Sequence, residues 1–273
     1  MPVVRPDARP ATALSPGKAG AAPSERQPLG AAGADSQGFA GARDRMVDRL
    51  AAQGLSDARV LQAMREVERH RFVDSALATQ AYEDTSLPIG LGQTISKPNV
   101  VARMLELLLG AADGGAAPGA TSGPGGGTTR AGIGRGTAPL GRVLEIGTGC
   151  GYQAALLSRL ATEVHSIERL RALYDKARAN VRTLRIANLH LLLGDGMLGF
   201  AKGAPYAAII AAAGGNAVPE CWIEQLALGG RIVAPAACQN GGHALVVIDR
   251  TRRGIERRVL EAVHFVPLKS GIA

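Results

Sequence analysis

The sequence contains few of the residues from which metal sites and disulfide frameworks are built. Its three cysteines, Cys150, Cys221 and Cys238, share no C-x-x-C spacing, and its five histidines are isolated from one another along the chain. Three cysteines are too few for a disulfide framework, and this usage is typical of a reducing compartment. We therefore expect a cytoplasmic protein without a metal site.

Aromatic residues are also scarce, at 3% of the 273 residues, although the formal net charge is +8. Proteins that bind nucleic acid usually concentrate their basic residues in a patch or stripe. Here the basic residues are scattered and do not alternate with aromatic ones, so we expect no specific nucleic-acid partner. The longest uncharged run, residues 203–219, is interrupted by glycine and proline and is too short to span a membrane.

Two segments have almost no large apolar side chains. Residues 1–41 are rich in Ala, Pro, Gly, Ser and Arg, and residues 111–141 are mostly Gly, Ala, Pro, Ser and Thr. Such segments bury too little apolar surface to offset the conformational entropy that is lost on ordering. We therefore expect a disordered tail over 1–41 and a single domain over 42–273, with a flexible Gly-rich insertion at about 111–141.

The stretch 142–170 contains a complete strand–turn–helix–strand pattern. Two apolar runs, Val143–Ile146 and Val164–Ile167, are typical of buried parallel strands. Between them lies a helical segment that follows three closely spaced glycines, Gly147, Gly149 and Gly151. Glycines permit positive φ and let a ligand lie against the main chain, and the first turn of the helix offers free amides. The pattern predicts a nucleotide-type binding site.

Acidic residues follow three of the predicted strands. Glu168 ends the second strand at the spacing where a carboxylate binds the two hydroxyls of a ribose. Glu145 lies at the end of the first strand, where it can meet a ligand ammonium, and Asp195, beside Gly196, follows the strand Leu189–Leu193 and can accept from an adenine amino group. These three acids favour S-adenosylmethionine over a dinucleotide, although residues 149–154 also fit the G-x-G-x-x-A pattern. The alternative is a glycine turn with solvated surface acids.

The other apolar patterns alternate between helix and strand, which predicts an α/β fold with a doubly wound, mostly parallel sheet and helices on both faces. A two-helix hairpin is expected over residues 44–68, with Ser56 as an N-cap. Residues 70–96 show neither the helical nor the strand periodicity of apolar residues. Ser96 lies near the start of a further helix over Val100–Leu109. The hydroxyl of Ser96 could serve only as a helix cap.

Five short motifs together resemble the protein-L-isoaspartate O-methyltransferase family. They are Leu87–Gly90, Gln93–Ser96, Val143–Gly149, Gly194–Gly196 and Phe265–Leu268. The resemblance covers about residues 44–110 and 142–270. It implies a Rossmann-like, S-adenosylmethionine-dependent methyltransferase that methylates the free carboxylate of L-isoaspartyl residues in damaged proteins and so initiates repair through a succinimide.

The same resemblance implies roles for individual residues. Ser96 corresponds to the family's active-site serine, and Thr94 and Ile95 line the methionine end of the cofactor. The remaining cofactor-binding positions are Glu145, Gly147, Gly149, Gly151, Glu168, Asp195 and Gly196. The chain departs from the family at Ala207, Gly215 and Ala237, which puts the acceptor-binding loops in question.

The implied chemistry demands little from side chains, because a carboxylic acid with a pKa of about 4 is already ionised at neutral pH. Alignment of the reacting atoms is sufficient, and Ser96 is then a positioning donor rather than a nucleophile. Two alternatives stay open at this point. One is a methyltransferase for another carboxylate, RNA or a small molecule, and the other is a non-catalytic nucleoside-binding module.

Overall fold

The structure, a computed structural model, describes residues 31–110, 139–238 and 241–273. Within these residues seven strands form one sheet in the order β5-β4-β3-β6-β7-β8-β9. Their bounds are β3 Leu140–Ile146, β4 Ala161–Glu168, β5 Leu189–Leu193, β6 Tyr206–Ala211, β7 Leu226–Ala237, β8 His243–Thr251 and β9 Gly254–Val263. The strands from β5 to β7 are parallel, and β7, β8 and β9 pair antiparallel. The predicted doubly wound, mostly parallel sheet is confirmed.

Side chains of alternate strand residues build a separate apolar core on each face of the sheet. One core contains Val143 and Val164 and packs against the helices α2 (Ala58–Glu66), α3 (Pro98–Leu109) and α4 (Tyr152–Leu160). The other contains Leu144 and packs against Trp222 of the short helix α6 (Glu220–Glu224). Helix α5 (Arg171–Arg182) follows β4 and buries Leu173 in the first core. Helices therefore cover both faces, as predicted.

The strand order reverses beside β3, because β4 and β5 continue to one side of it and β6 and β7 to the other. In open parallel sheets, ligands bind at such a switch point, outside the carboxyl ends of the strands. The residues that follow β3 and β4 therefore lie at the position where a ligand is expected.

The first helix begins earlier than predicted. Helix α1 spans Ala31–Ala52, so residues 31–41 are helical rather than part of the predicted tail, while residues 1–30 lie outside the described residues. The ring of Phe39 stacks on His70 with 4.2 Å between ring centroids, which anchors this part of α1 to the core. The N-cap of α2 is Asp57 and not Ser56, since the Asp57 carboxylate accepts from the amides of Arg59 and Val60. The predicted insertion at 111–141 lies almost entirely outside the described residues.

A small β-hairpin lies within residues 70–96, the segment that shows neither helical nor strand periodicity. Strand β1 (Leu87–Gly90) pairs antiparallel with β2 (Gln93–Ile95), and α3 begins at Pro98. At the other end of the chain, the residues after β9 return to the sheet, where Pro267 bridges to Gly214. No helix among the described residues is long and apolar enough to cross a membrane.

Candidate active site

A cavity of about 500 Å³ opens at the carboxyl ends of β3 and β4. This volume is within the range of about 300–1,000 Å³ that is usual for small-molecule sites. The hairpin β1–β2 covers one side of the cavity, the glycine turn after β3 forms its floor, and residues 266–269 close a third side. We call it the cofactor cavity.

The glycine turn has the main-chain geometry that the sequence predicts. Gly147, Gly149 and Gly151 all have positive φ, at 90°, 56° and 91°. Gly147 and Gly149 line the cofactor cavity. Gly151 does not line it but is the N-cap of α4, where an added Cβ would lie 3.1 Å from Cγ1 of Val181 on α5. Gly151 is therefore favoured by its positive φ and by close packing behind the cavity, while the other two glycines expose main chain to a ligand.

Glu168 lines the cofactor cavity at the end of β4, where the sequence places it. Its carboxylate is held by three main-chain amides. Oε2 accepts from Gly149 at 2.9 Å, and Oε1 accepts from Arg169 and Leu170 at 2.9 Å each. These bonds tie the glycine turn to β4 and fix the orientation of the carboxylate.

Glu145 does not reach the cofactor cavity. Its side chain is fully buried and accepts a short hydrogen bond from the Ser166 hydroxyl, which also bonds to Thr148. Burial raises the pKa of Glu145 to about 8, so the acid holds its proton at neutral pH. The physical reason is register: Glu145 pairs with Ser166 and Ile210 inside the sheet, and Ile146 is the strand residue that lines the cavity. Contact with a ligand ammonium is therefore not provided by this arrangement.

Gly196 lines the cofactor cavity, but the neighbouring Asp195 does not. Asp195 is the N-cap of a 3₁₀ turn, where Oδ1 accepts from the Met197 amide at 2.8 Å and Oδ2 accepts from the Gly271 amide at 2.6 Å. An added Cβ at Gly196 would lie 2.5 Å from Cγ2 of Ile146, so only glycine fits beside this strand end. Asp195 thus shapes the cavity wall and connects it to the segment 266–273.

Thr94, Ile95 and Ser96 all line the cofactor cavity. Ser96 also lines a second cavity of about 500 Å³, which we call the outer cavity. The hydroxyl of Ser96 makes no hydrogen bond to any residue that the structure describes, while its carbonyl accepts from Arg69 at 2.8 Å. The N-cap of α3 is Lys97, without a side-chain cap bond, so the alternative of Ser96 as a helix cap is wrong.

The outer cavity lies between the start of α3 and the end of β9. Its ionisable residues are Asp84, Lys97, Arg103, Glu261 and His264. Arg103 is neutralised by two carboxylates, because it donates to Glu106 at 3.1 Å and to Glu261 at 3.2 Å. The three departures from the family pattern, Ala207, Gly215 and Ala237, line neither cavity.

Several cavity residues escaped the sequence reasoning. They include Ile89, Leu91, Tyr152 and Leu170, and the segment Val266–Lys269. The motif Phe265–Leu268 was the available signal for the segment, since it follows the last strand without extending it. Ile89 had a similar signal in the motif Leu87–Gly90, whereas Leu91 lies outside all five motifs and carries none.

The residues present fit S-adenosylmethionine. A carboxylate with fixed orientation, main chain without Cβ atoms at Gly147 and Gly149, and the first turn of α4 meet in one cavity. These groups suit the hydroxyls of a ribose and the ammonium and carboxylate of an amino acid. Glu168, the glycine turn and the hairpin residues Thr94 and Ile95 are the groups that would hold it.

Comparison with known proteins agrees with this geometry. The family profile of "Protein-L-isoaspartate(D-aspartate) O-methyltransferase (PCMT)" matches residues 42–127 and 137–273. A protein-L-isoaspartate O-methyltransferase of Methylibium petroleiphilum is 58% identical over 231 residues, which cover 84% of this chain and 77% of that protein. One of Leptothrix cholodnii is 55% identical over 241 residues, 88% of this chain and 76% of that protein.

Solved structures give the same result for the fold. A protein-L-isoaspartate O-methyltransferase structure matches with a TM-score of 0.67 and 26% identity, over 84% of this chain and 66% of that chain. A structure from Plasmodium falciparum in complex with S-adenosyl-L-homocysteine matches with a TM-score of 0.65 and 21% identity, over 83% and 98% of the two chains, and supports the fold alone. The profile match spans well over half of the chain, and the chain therefore belongs to the protein-L-isoaspartate O-methyltransferase family.

Proposed function

We propose that this enzyme transfers a methyl group from S-adenosylmethionine to the free carboxylate of L-isoaspartyl residues in proteins. The observation that carries the proposal is the position of Ser96, which lines both the cofactor cavity and the outer cavity and whose hydroxyl has no partner among the described residues. An acceptor in the outer cavity would thereby reach the methionine end of the cofactor beside Ser96. The main-chain amide nitrogen of the following residue then attacks the ester carbonyl, methanol leaves, and water opens the resulting succinimide in part to normal aspartate.

The chemistry needs positioning rather than proton transfer. S-adenosylmethionine, when bound, supplies a methyl group on a sulfonium. The acceptor carboxylate is ionised at neutral pH and is already a nucleophile, so no general base is required. Ser96 donates a hydrogen bond to one carboxylate oxygen and orients the other, while Thr94 and Ile95 define the adjoining wall of the cofactor cavity.

The outer cavity suits a peptide acceptor. Its volume matches that of the cofactor cavity, and it is bounded by Ala262 and Val263 at the end of β9, a strand at the edge of the sheet. Lys97 is the cation there without an ion pair to any described residue, and it can attract an anionic acceptor. We also propose a cytoplasmic location, since Cys150, Cys221 and Cys238 are free thiols.

Methyl transfer can be tested with radiolabelled S-adenosylmethionine and four acceptor conditions. These are an isoaspartyl peptide, the same peptide with normal aspartate, RNA, and no acceptor. We expect alkali-labile label, as methyl ester, with the isoaspartyl peptide alone. Label in RNA, or equal label with both peptides, would favour another methyltransferase activity, and cofactor binding without any transfer would favour a binding module.

A further inference from the structure

Arg69 is buried without a carboxylate partner. It lies in the 3₁₀ turn Arg69–Phe72 and is 0% exposed. Its Nε donates to the Ala81 carbonyl and its Nη2 to the Ser96 carbonyl, both at 2.8 Å. No ion pair joins it to a described acidic residue, and its Nη1 has no hydrogen-bond partner among the described residues. Both hydrogen bonds of the guanidinium therefore go to main-chain carbonyls.

A buried guanidinium without a carboxylate partner makes an unfavourable contribution to the stability of the fold. A buried cation loses its hydration, and main-chain carbonyls compensate for this less well than a carboxylate. The loss is large enough that burial lowers the pKa of Arg69. Residues that break a local rule of folding without an evident gain in stability are commonly found at functional sites.

The contacts of Arg69 lead directly to the proposed site of methyl transfer. The first carbonyl that α3 uses is that of Lys97, which accepts from Val101, so the Ser96 carbonyl has no partner within the helix. Arg69 supplies that partner. Its guanidinium carbon also lies 4.9 Å from the ring centroid of Tyr152, which lines the cofactor cavity at the start of α4.

We propose that Arg69 is a positioning residue for methyl transfer, which holds the main chain of Ser96 in a fixed place relative to Tyr152 and the cofactor cavity. The planar guanidinium places separate nitrogens on two carbonyls and its plane near an aromatic ring, a spacing that the compact ammonium of lysine does not reproduce. Arg69 contacts neither reacting group, and it acts through the placement of the Ser96 hydroxyl. This inference rests on the proposed role of Ser96.

A double-mutant cycle tests the inference. Arg69→Lys, Ser96→Ala and the double variant are compared with wild type for kcat on an isoaspartyl peptide and for the Kd of S-adenosyl-L-homocysteine. We expect Arg69→Lys to lower kcat by about ten- to a hundredfold, since a displacement of about 1 Å has effects of this size. The Kd should change by less than about twofold. In the Ser96→Ala background, Arg69→Lys should lower kcat by less than about threefold, because residues that act together are not additive.

Arg231→Lys is the matched control. Arg231 is also buried and donates to a main-chain carbonyl, that of Leu107 at 2.8 Å, but it has Asp249 as an ion-pair partner and lines neither cavity. Arg231→Lys should lower the Tm and leave kcat unchanged below the unfolding transition. If Arg69→Lys does not fold, Arg69→Gln replaces it in the same cycle, since it removes the buried charge.

The outcomes separate the inference from the function on which it rests. An unchanged kcat in Arg69→Lys, or effects of Arg69→Lys and Ser96→Ala that multiply in the double variant, would overturn the role of Arg69 alone. A fully active Ser96→Ala enzyme would overturn the roles of both residues. A wild-type enzyme that does not methylate the isoaspartyl peptide would overturn the proposed function itself.

Discussion

The substitution Glu168→Gln gives the sharpest test of cofactor binding, because the structure shows how much of this carboxylate is free. A carboxylate has about four lone-pair positions. Two main-chain amides bond to Oε1 and one bonds to Oε2, so one position on Oε2 remains for a ligand. We therefore expect Glu168 to provide one strong hydrogen bond to a ribose rather than the two that the sequence pattern suggests.

The expected loss of affinity follows from that single bond. A hydrogen bond to a charged group contributes about 1.5–3 kcal/mol and a neutral one about 0.5–1.5 kcal/mol. Glu168→Gln exchanges the first kind for the second and should raise the Kd of S-adenosyl-L-homocysteine by about five- to thirtyfold. Glu168→Ala removes the bond altogether and should raise it by about ten- to 150-fold.

Titration calorimetry measures these affinities directly, with Glu163→Gln as the matched control. Glu163 lies on the same strand, where it pairs with Arg142 and does not line the cofactor cavity. Glu168→Gln also sets its amide group against the Gly149 amide, which should lower the Tm by a few degrees without ligand. If both Glu168 variants bound S-adenosyl-L-homocysteine as tightly as Glu163→Gln, the assignment of Glu168 to the ribose would be wrong.

Three further substitutions test other parts of the structure. Ser96→Ala should lower kcat on an isoaspartyl peptide by about ten- to a hundredfold with an unchanged Tm, because its hydroxyl bonds to no described residue; an unchanged kcat would contradict its role. Glu145→Gln should remove a pH dependence of stability, because the folded chain keeps a proton on Glu145 up to about pH 8 whereas the unfolded chain releases it near the ordinary pKa of 4.5. The wild-type free energy of unfolding should therefore fall, relative to that of the variant, as the pH rises between these two values. Parallel curves of Tm against pH from pH 5 to 9 would exclude this. Phe39→Ala should lower the free energy of unfolding by about 1–2 kcal/mol in urea titrations, since it removes a half-buried ring stacked on His70; no change would show that the start of α1 does not contribute to stability.

Sequence patterns were sufficient for the elements whose neighbours in the chain are also their neighbours in space. Strand β5 has the predicted bounds, and β3 and β4 contain the predicted apolar runs. Residues 143–146 of β3 and 164–168 of β4 are all buried, and the glycines between β3 and α4 mark the turn. The central binding unit could therefore be identified from local composition.

The same patterns failed where one distant contact decides the structure. Nothing local distinguishes residues 31–41 from the small-residue segment before them, except Phe39, whose partner His70 is far along the chain. The hairpin β1–β2 has strands of four and three residues, too short for alternation to be detected. Ser56 and Asp57 are both good N-caps by type, and the Ser56 amide and hydroxyl instead donate to Glu106.

The three strand-end acids show why motif spacing alone does not assign a ligand contact. Glu168 is the last residue of β4 and lines the cavity, whereas Glu145 is one residue short of the end of β3 and its side chain is held within the sheet. Asp195 is two residues beyond β5 and bonds to the main chain of Met197 and Gly271. A shift of one or two residues thus decides whether an acid faces a ligand or supports the wall behind it. Because Glu168 is the only one of these three acids that lines the cavity, we expect most of the remaining polar contacts to the cofactor to come from the glycine turn and from Thr94.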